Sequence, residues 1–256
     1  MWKMYDELIG GIPQDVYVED VVAGHFWVYV RSNLGAGVSV SAVRANRPFT
    51  RPDSMIGKPV REVAERVKSW NLVEASIGLA AINSYYNTPG IARANSVRLL
   101  DKKDGEDRLN DPYIAYQNLV SGKNVCGVGH ASYLKALMEK RCRLTLIGDD
   151  SPGSYPLEAA EALLPEQDFV YLPCVSFATK QIVRWLELCR RDARVIICGP
   201  SLPMAPLLFD YGIYDLAGYV LHESDCARAR GIVAAAENEF LFCVGEKVSL
   251  RADDPR

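Results

Sequence analysis

The chain has 256 residues, enough for one large domain or two smaller ones with separate cores. Hydrophobic residues make up 49% and charged residues 24%, which excludes a disordered chain. The formal net charge is -3 and the pI about 5.7, with lysines and arginines scattered, so no nucleic-acid partner is expected.

The opening residues, MWKMYDELIGGIPQD, show no basic segment running into a long apolar one, and no signal peptide is expected. No stretch approaches the ~18 uninterrupted apolar residues of a membrane span, so the expectation is a cytoplasmic protein with no membrane partner. VYVEDVVAGHFWVYVRS (16–32) and AGVSVSAV (36–43) are β-rich and read as an antiparallel pair around a Gly-containing turn. Two helical stretches follow, GKPVREVAERVKS (57–69) and NLVEASIGLAAINSYYN (71–87). Strands first and helices second make an α+β module, and residues 88–122 read as a polar surface connector.

From residue 124 onward strands and helices alternate. NVCGVG precedes ASYLKALMEK, RLTLIGDD precedes PLEAAEALL, DFVYLPC precedes TKQIVRWLELC, RVIICGP precedes APLLFDYG, and LAGYVLH precedes DCARARGIVAAA. Continuous apolar strands between amphipathic helices predict a parallel sheet covered on both faces, a Rossmann-like α/β domain. The expected division is 1–112 for the α+β domain with its connector and 113–256 for the α/β domain. All seven cysteines lie from residue 126 onward, odd in number and without a CxxC pair, so reduced thiols, mostly core residues, are expected.

RANRPF (44–49), KSWNLVEASIGLAAINSYYN (68–87), EDRLNDPY (106–113), GVGH (127–130), YLPCVS (171–176) and CGPSLPMAP (198–206) run in order along almost the whole chain. In these segments the chain resembles the heavy-metal chelation domain family. The resemblance implies an enolase N-terminal-like α+β domain followed by a Rossmann-like domain, with a site between them and a proposed role in heavy-metal handling.

Ligands of an open parallel sheet bind beyond the carboxyl ends of its strands, which gives a list of candidates. Gly127 and Gly129 allow a tight turn toward a ligand, although Ser132 stands where the dinucleotide fingerprint has its third glycine. Asp149, with Asp150 beside it, follows Gly129 by the spacing at which an acidic residue binds ribose hydroxyls. Helix capping and ordinary packing turns explain the same residues equally well.

His130 and Cys174, with His222 further on, supply the softer donors that a transition or heavy metal prefers. Ser176 and Gly199 close the strand-end list. Asn71 and Glu74 share one face of a very apolar helix, where a carboxylate must be paired or raised in pKa; an N-terminal capping box is the structural alternative. Asp111 is held extended by Pro112, and Arg47 offers a fork for an anion. GxxxxGK[ST], HExxH and GxSxG are absent from the sequence, and no lysine follows a strand in a way that points to a Schiff base.

These residues point to a protein that binds a small anionic or metal-chelating ligand in a cleft between two domains, with Glu74 and Asp111 as candidate catalytic groups. Asn71, Gly127, Gly129, His130, Asp149, Ser176 and Gly199 are the candidate binding groups, and His130 and Cys174 the candidate metal ligands. The competing reading is an enzyme using a nucleotide-type cofactor or substrate in the same cleft. A homo-oligomeric scaffold is a third.

Overall fold

The computed structural model describes residues 2–42, 52–100, 108–129, 132–148, 151–236 and 243–253. Helix α1 (Lys3–Gly10) leads into an antiparallel meander of β1 (Val18–Ala23), β2 (Trp27–Ser32) and β3 (Gly35–Val40). The first β-rich run is therefore two strands rather than one: it reverses at Gly24, whose N–H donates to Trp27 O at 2.8 Å. β-forming residues on both sides of Gly24 hid that reversal, which the Gly24-His25 step alone marks in the sequence.

Helix α2 (Val60–Ala64) tightens into a 3-10 turn, and α3 (Leu72–Tyr86) is the longest helix among the described residues. It is apolar all round because it is covered all round: Ala75 through Ser84 are buried, between β2 and β3 on one side and α2 and the later helical turn Ser176–Thr179 on another. Gly78 is required there, since a Cβ would run into the Val67 backbone nitrogen. A short helix α4 (Pro89–Ala94) interrupts the polar connector, and α5 (Pro112–Ala115) closes it.

The second sheet has six strands in the order β5-β4-β6-β7-β8-β9. They are β4 (Asn124–Val128), β5 (Arg143–Ile147), β6 (Phe169–Pro173), β7 (Arg194–Cys198), β8 (Ile213–Leu221) and β9 (Gly245–Arg251). The first five pair in parallel and β9 returns antiparallel to β8. Between them run α6 (Ser132–Met138), α7 (Ala160–Leu163), α8 (Ser176–Thr179), α9 (Gln181–Leu188) and α10 (Cys226–Ala234), while Pro206–Tyr211 winds as a 3-10 segment. This mixed α+β and α/β architecture is the fold class expected from the sequence. No helix among the described residues is long and apolar enough to cross a membrane.

One core cluster runs through both sheets, from Met4 and Val30 to Leu250. Polar side chains of α3 fasten the seam. Asn87 Nδ2 donates to Leu202 O (2.8 Å) and Tyr219 O (3.0 Å), and its Oδ1 accepts from Met204 N (2.9 Å). Asn83 Nδ2 donates to Val38 O in β3 and to Ser201 O in the loop after β7, bridging the two sheets. Ser201 Oγ accepts from Val40 N at 2.7 Å.

A cavity at the carboxyl edge of the second sheet

Strands in the order 2-1-3-4-5 reverse direction of growth between the first and third, here β4 and β6, and ligands bind in the crevice beyond that point. A cavity of about 340 Å³ lies there. Gly127 and Val128 of β4, Tyr171 through Val175 around the end of β6, and Cys198, Gly199 and Pro200 beyond β7 line it. Trp27 of β2 and Val40 of β3 supply the opposite wall, so both sheets contribute. A second cavity of about 570 Å³ shares Tyr113, Cys198, Gly199 and Pro200 with the first and extends to Asn110, Asp111, Tyr219 and Lys247. Mostly apolar and aromatic walls with a few polar groups are the usual make-up of a small-molecule site.

Gly199 lines both cavities, while Gly129, one residue past Val128, lines neither. Gly129 has φ +80 and sits against Pro173, and Gly199 has φ +123, conformations that L side chains rarely adopt. Their N–H groups are already spent inside the sheet, Gly129 on Ile147 O (2.8 Å) and Gly199 on Ala217 O (2.9 Å). The contribution of Gly199 is room, not a hydrogen-bond donor. A Cβ on Gly199 would stand 2.5 Å from Cys174 Sγ.

Cys174 is 4% exposed and its N–H donates to Cys198 O, so the two cysteines are neighbours across β6 and β7. Burial pushes the Cys174 thiol up, while the Ser201 hydroxyl and the Ser201 and Val175 N–H groups, directed at the sulfur, pull it back down. Burial also pushes the Cys198 thiol well up, with the Asp215 carboxylate adding to it and the Tyr113 hydroxyl opposing. Tyr113 stacks on Tyr171 with ring centroids 5.2 Å apart. Asp111 Oδ1 caps α5 by accepting from Tyr113 N, and its Oδ2 lies 3.3 Å from Lys247 Nζ, which makes one balanced ion pair at the polar end of the larger cavity.

The remaining candidates lie elsewhere. Asn71 is the N-cap of α3, its Oδ1 accepting from Val73 N and Glu74 N. Ser69 Oγ accepts from Asn71 N and donates to Glu74 Oε2 at 2.7 Å, and Arg66 Nη1 pairs with Glu74 Oε1 at 3.4 Å. Neither Asn71 nor Glu74 lines the two cavities. Ser176 opens α8, fully buried, and its Oγ has no partner among the described residues. His222 sits between Asp225 and Glu246, 3.4 Å from each. His130, Asp149, Asp150 and Arg47 lie outside the described residues. Among the described residues no group of three or more His, Cys, Asp and Glu side chains is placed to hold a metal ion.

Sequence reasoning missed Trp27, Val40, Tyr113, Cys198 and Lys247. Cys198 was findable, because it ends β7 immediately before Gly199. The others reach the cavity from distant segments, and nothing in their local sequence marks them. Lys180 was also missed: it is buried between α8 and α9 at φ +65, donates to Ala178 O (2.7 Å) and Ser69 O, and is lowered by desolvation to about 8.

Comparison with known proteins is decisive for the family. Residues 5–86 match one family model and residues 111–246, more than half of the chain, match a second, DUF364; both are described as "Putative heavy-metal chelation". The chain belongs to the DUF364 family. A solved DUF364-family protein of unknown function from Desulfitobacterium hafniense DCB-2 is 42% identical, with 98% of each chain covered and a TM-score of 0.88. Another DUF364-family structure, from Pyrococcus horikoshii, shares the fold at 16% identity and a TM-score of 0.71, covering 98% of this chain and 97% of that one. No protein of curated function matches. Membership of DUF364 bears out the resemblance drawn from the sequence segments.

Proposed function

We propose that this DUF364 chain binds a small metal-chelating or anionic ligand in the joined cavities, and that it handles heavy metal as its family description states. The observation that carries the reading is the position of the cavity: beyond the strands where the sheet's order reverses, and walled on its far side by Trp27 and Val40. In this reading the chain works as two units, 1–112 and 113–256, that meet at the ligand. Gly127 and Gly199 leave room for it, Gly129 turns the chain past β4, Cys174 offers a soft donor, and Asp111 with Lys247 holds its polar end. His130 and Asp149, which follow β4 and β5 in sequence, belong to the same proposed ligand set. Asn71 and Glu74 support the site by fixing the start of α3, and Ser176 is the buried first residue of α8.

The donor chemistry fits a soft metal better than a hard one, since thiols rather than carboxylates predominate at the cavity. Native mass spectrometry of freshly purified protein, with elemental analysis of the same sample, tests the reading. Stoichiometric metal, or a metal-binding organic mass, is expected. A nucleotide mass without metal would favour the enzyme reading instead, and a clean apo mass that no metal or chelator changes would remove both.

A further inference from the structure

We propose that the larger cavity takes a planar heteroaromatic lactam, a flat ring that carries a carbonyl beside an N–H on one edge. The inference rests on the reading of the joined cavities as the ligand site. It goes further by naming the chemical class held there and the residues that select it.

Strand register places the floor. Cys198 pairs with Ala217 and Tyr219 with Lys247, so these four side chains share one face of the second sheet. Asp215, two residues before Ala217, points the same way and accepts from the Tyr116 hydroxyl at 2.7 Å, so this is the face on which α5 and Tyr116 lie. The floor is low there, a cysteine and an alanine, and the rings of Tyr113, Tyr133 and Tyr219 stand around it. Tyr113 is stacked on Tyr171 with centroids 5.2 Å apart, and Tyr133 meets it edge-on at 5.4 Å. Tyr133 is left 49% exposed although it lines a cavity, which is the position of a ring that a flat ligand would cover. Aromatic walls around small floor residues favour an aromatic slab over a branched or globular ligand.

The polar end sets the edge. Asp111 Oδ1 accepts from Tyr113 N at 3.0 Å, and its Oδ2 lies 3.3 Å from Lys247 Nζ. Asn110 Nδ2 donates to Lys247 O at 3.0 Å, while its Oδ1 accepts no hydrogen bond among the described residues. All three residues line the cavity. One carboxylate against one ammonium leaves little net field for a free anion or cation. A donating ammonium beside two kinds of accepting oxygen is instead the complement of an edge that offers both a carbonyl and an N–H. A site of that kind rejects an analogue lacking either group, because its own polar atoms are then left unpaired.

The test is saturation-transfer NMR and isothermal titration calorimetry on the full chain with four probes. 2-Quinolinone is the planar lactam, and 1-methyl-2-quinolinone removes its donor. Piperidin-2-one keeps the edge without the aromatic ring, and 2-naphthoate keeps the flat ring but carries an anion. 2-Quinolinone is expected to bind tighter than each of the others by roughly tenfold or more. Lys247→Met and Asp111→Asn should each weaken it by a similar factor; asparagine still caps α5, so the second variant keeps the helix start. Should either variant fail to fold, the ranking of the four probes on the unaltered protein decides. No saturation transfer to 2-quinolinone, equal binding of the methylated lactam or 2-naphthoate, or unchanged affinity in both folded variants overturns the proposal. A bound metal or other mass in native mass spectrometry with no lactam binding would sink the lactam and leave the cavity reading standing. Lactam binding with the expected ranking on a protein that purifies without metal would support the lactam and remove the metal-handling reading.

Discussion

The two ends of the seam between the sheets contrast. Along α3, buried polar groups are tied to the protein itself: Asn71 caps its own helix, Glu74 holds Ser69 and Arg66, and Asn87 spends its amide on Leu202, Tyr219 and Met204. At the carboxyl edge, the thiols of Cys174 and Cys198 and the Asp111–Lys247 pair lie against open volume. Polar residues in an apolar setting draw equal attention in a sequence, yet the first group is bonded within the fold and the second lies against open space. Space next to the polar atom separates the two cases, and space is a tertiary property.

Variants that cut the seam give the largest effects. Asn87→Leu strands two carbonyls and one N–H in the interior, at about 1–3 kcal/mol each, so a loss of about 3 kcal/mol or more is expected from urea unfolding. A variant within about 0.5 kcal/mol of the parent would show that the seam is not held there.

Lys180 sharpens the same contrast through pH. Its folded value of about 8 lies below its ordinary 10.5, so the native state releases this proton before the unfolded state does. The unfolded chain then binds more protons between pH 8 and 10.5, and this group's contribution to stability rises with pH across that window. Below pH 8 the penalty of the buried ammonium is fully present. Comparing unfolding of the parent and Lys180→Met across the window should show the parent gaining on the variant by up to about 3 kcal/mol. Parallel curves would contradict the burial of a charged Lys180.

Smaller effects belong to the helix start. Asn71→Ala should cost about 1 kcal/mol, an ordinary N-cap loss, and leave ligand uptake unchanged. Lost uptake with an unchanged melting temperature would move the site toward α3 and restore Asn71 and Glu74 as ligand groups.

Much of the fold was legible in the sequence. The five parallel strands announce themselves as short apolar runs with turn signals, and a parallel strand buried on both faces has no other pattern to show. β9 was missed although Lys247, Val248, Ser249 and Leu250 alternate as an edge strand should, with Val248 and Leu250 buried. Of the cavity lining, the strand-end rule named Gly127, Cys174 and Gly199, because the topology of a parallel sheet puts all such ends on one edge. It also named Ser176, which is fully buried and lies one residue past Val175, the last residue of that segment to line the cavity. Trp27, Val40 and Tyr113 were out of reach, since chain segments far apart in sequence meet at the cavity and their own neighbours carry no mark of it.

The central claim is that the cavity beside Gly199 is where the ligand sits. Native mass spectrometry of freshly purified parent and Gly199→Ala protein, run side by side, tests it most directly. The account predicts a bound metal or small-molecule mass on the parent that is lost when the added methyl group meets Cys174 Sγ. The same bound mass at the same occupancy on both proteins would place the ligand elsewhere and contradict it.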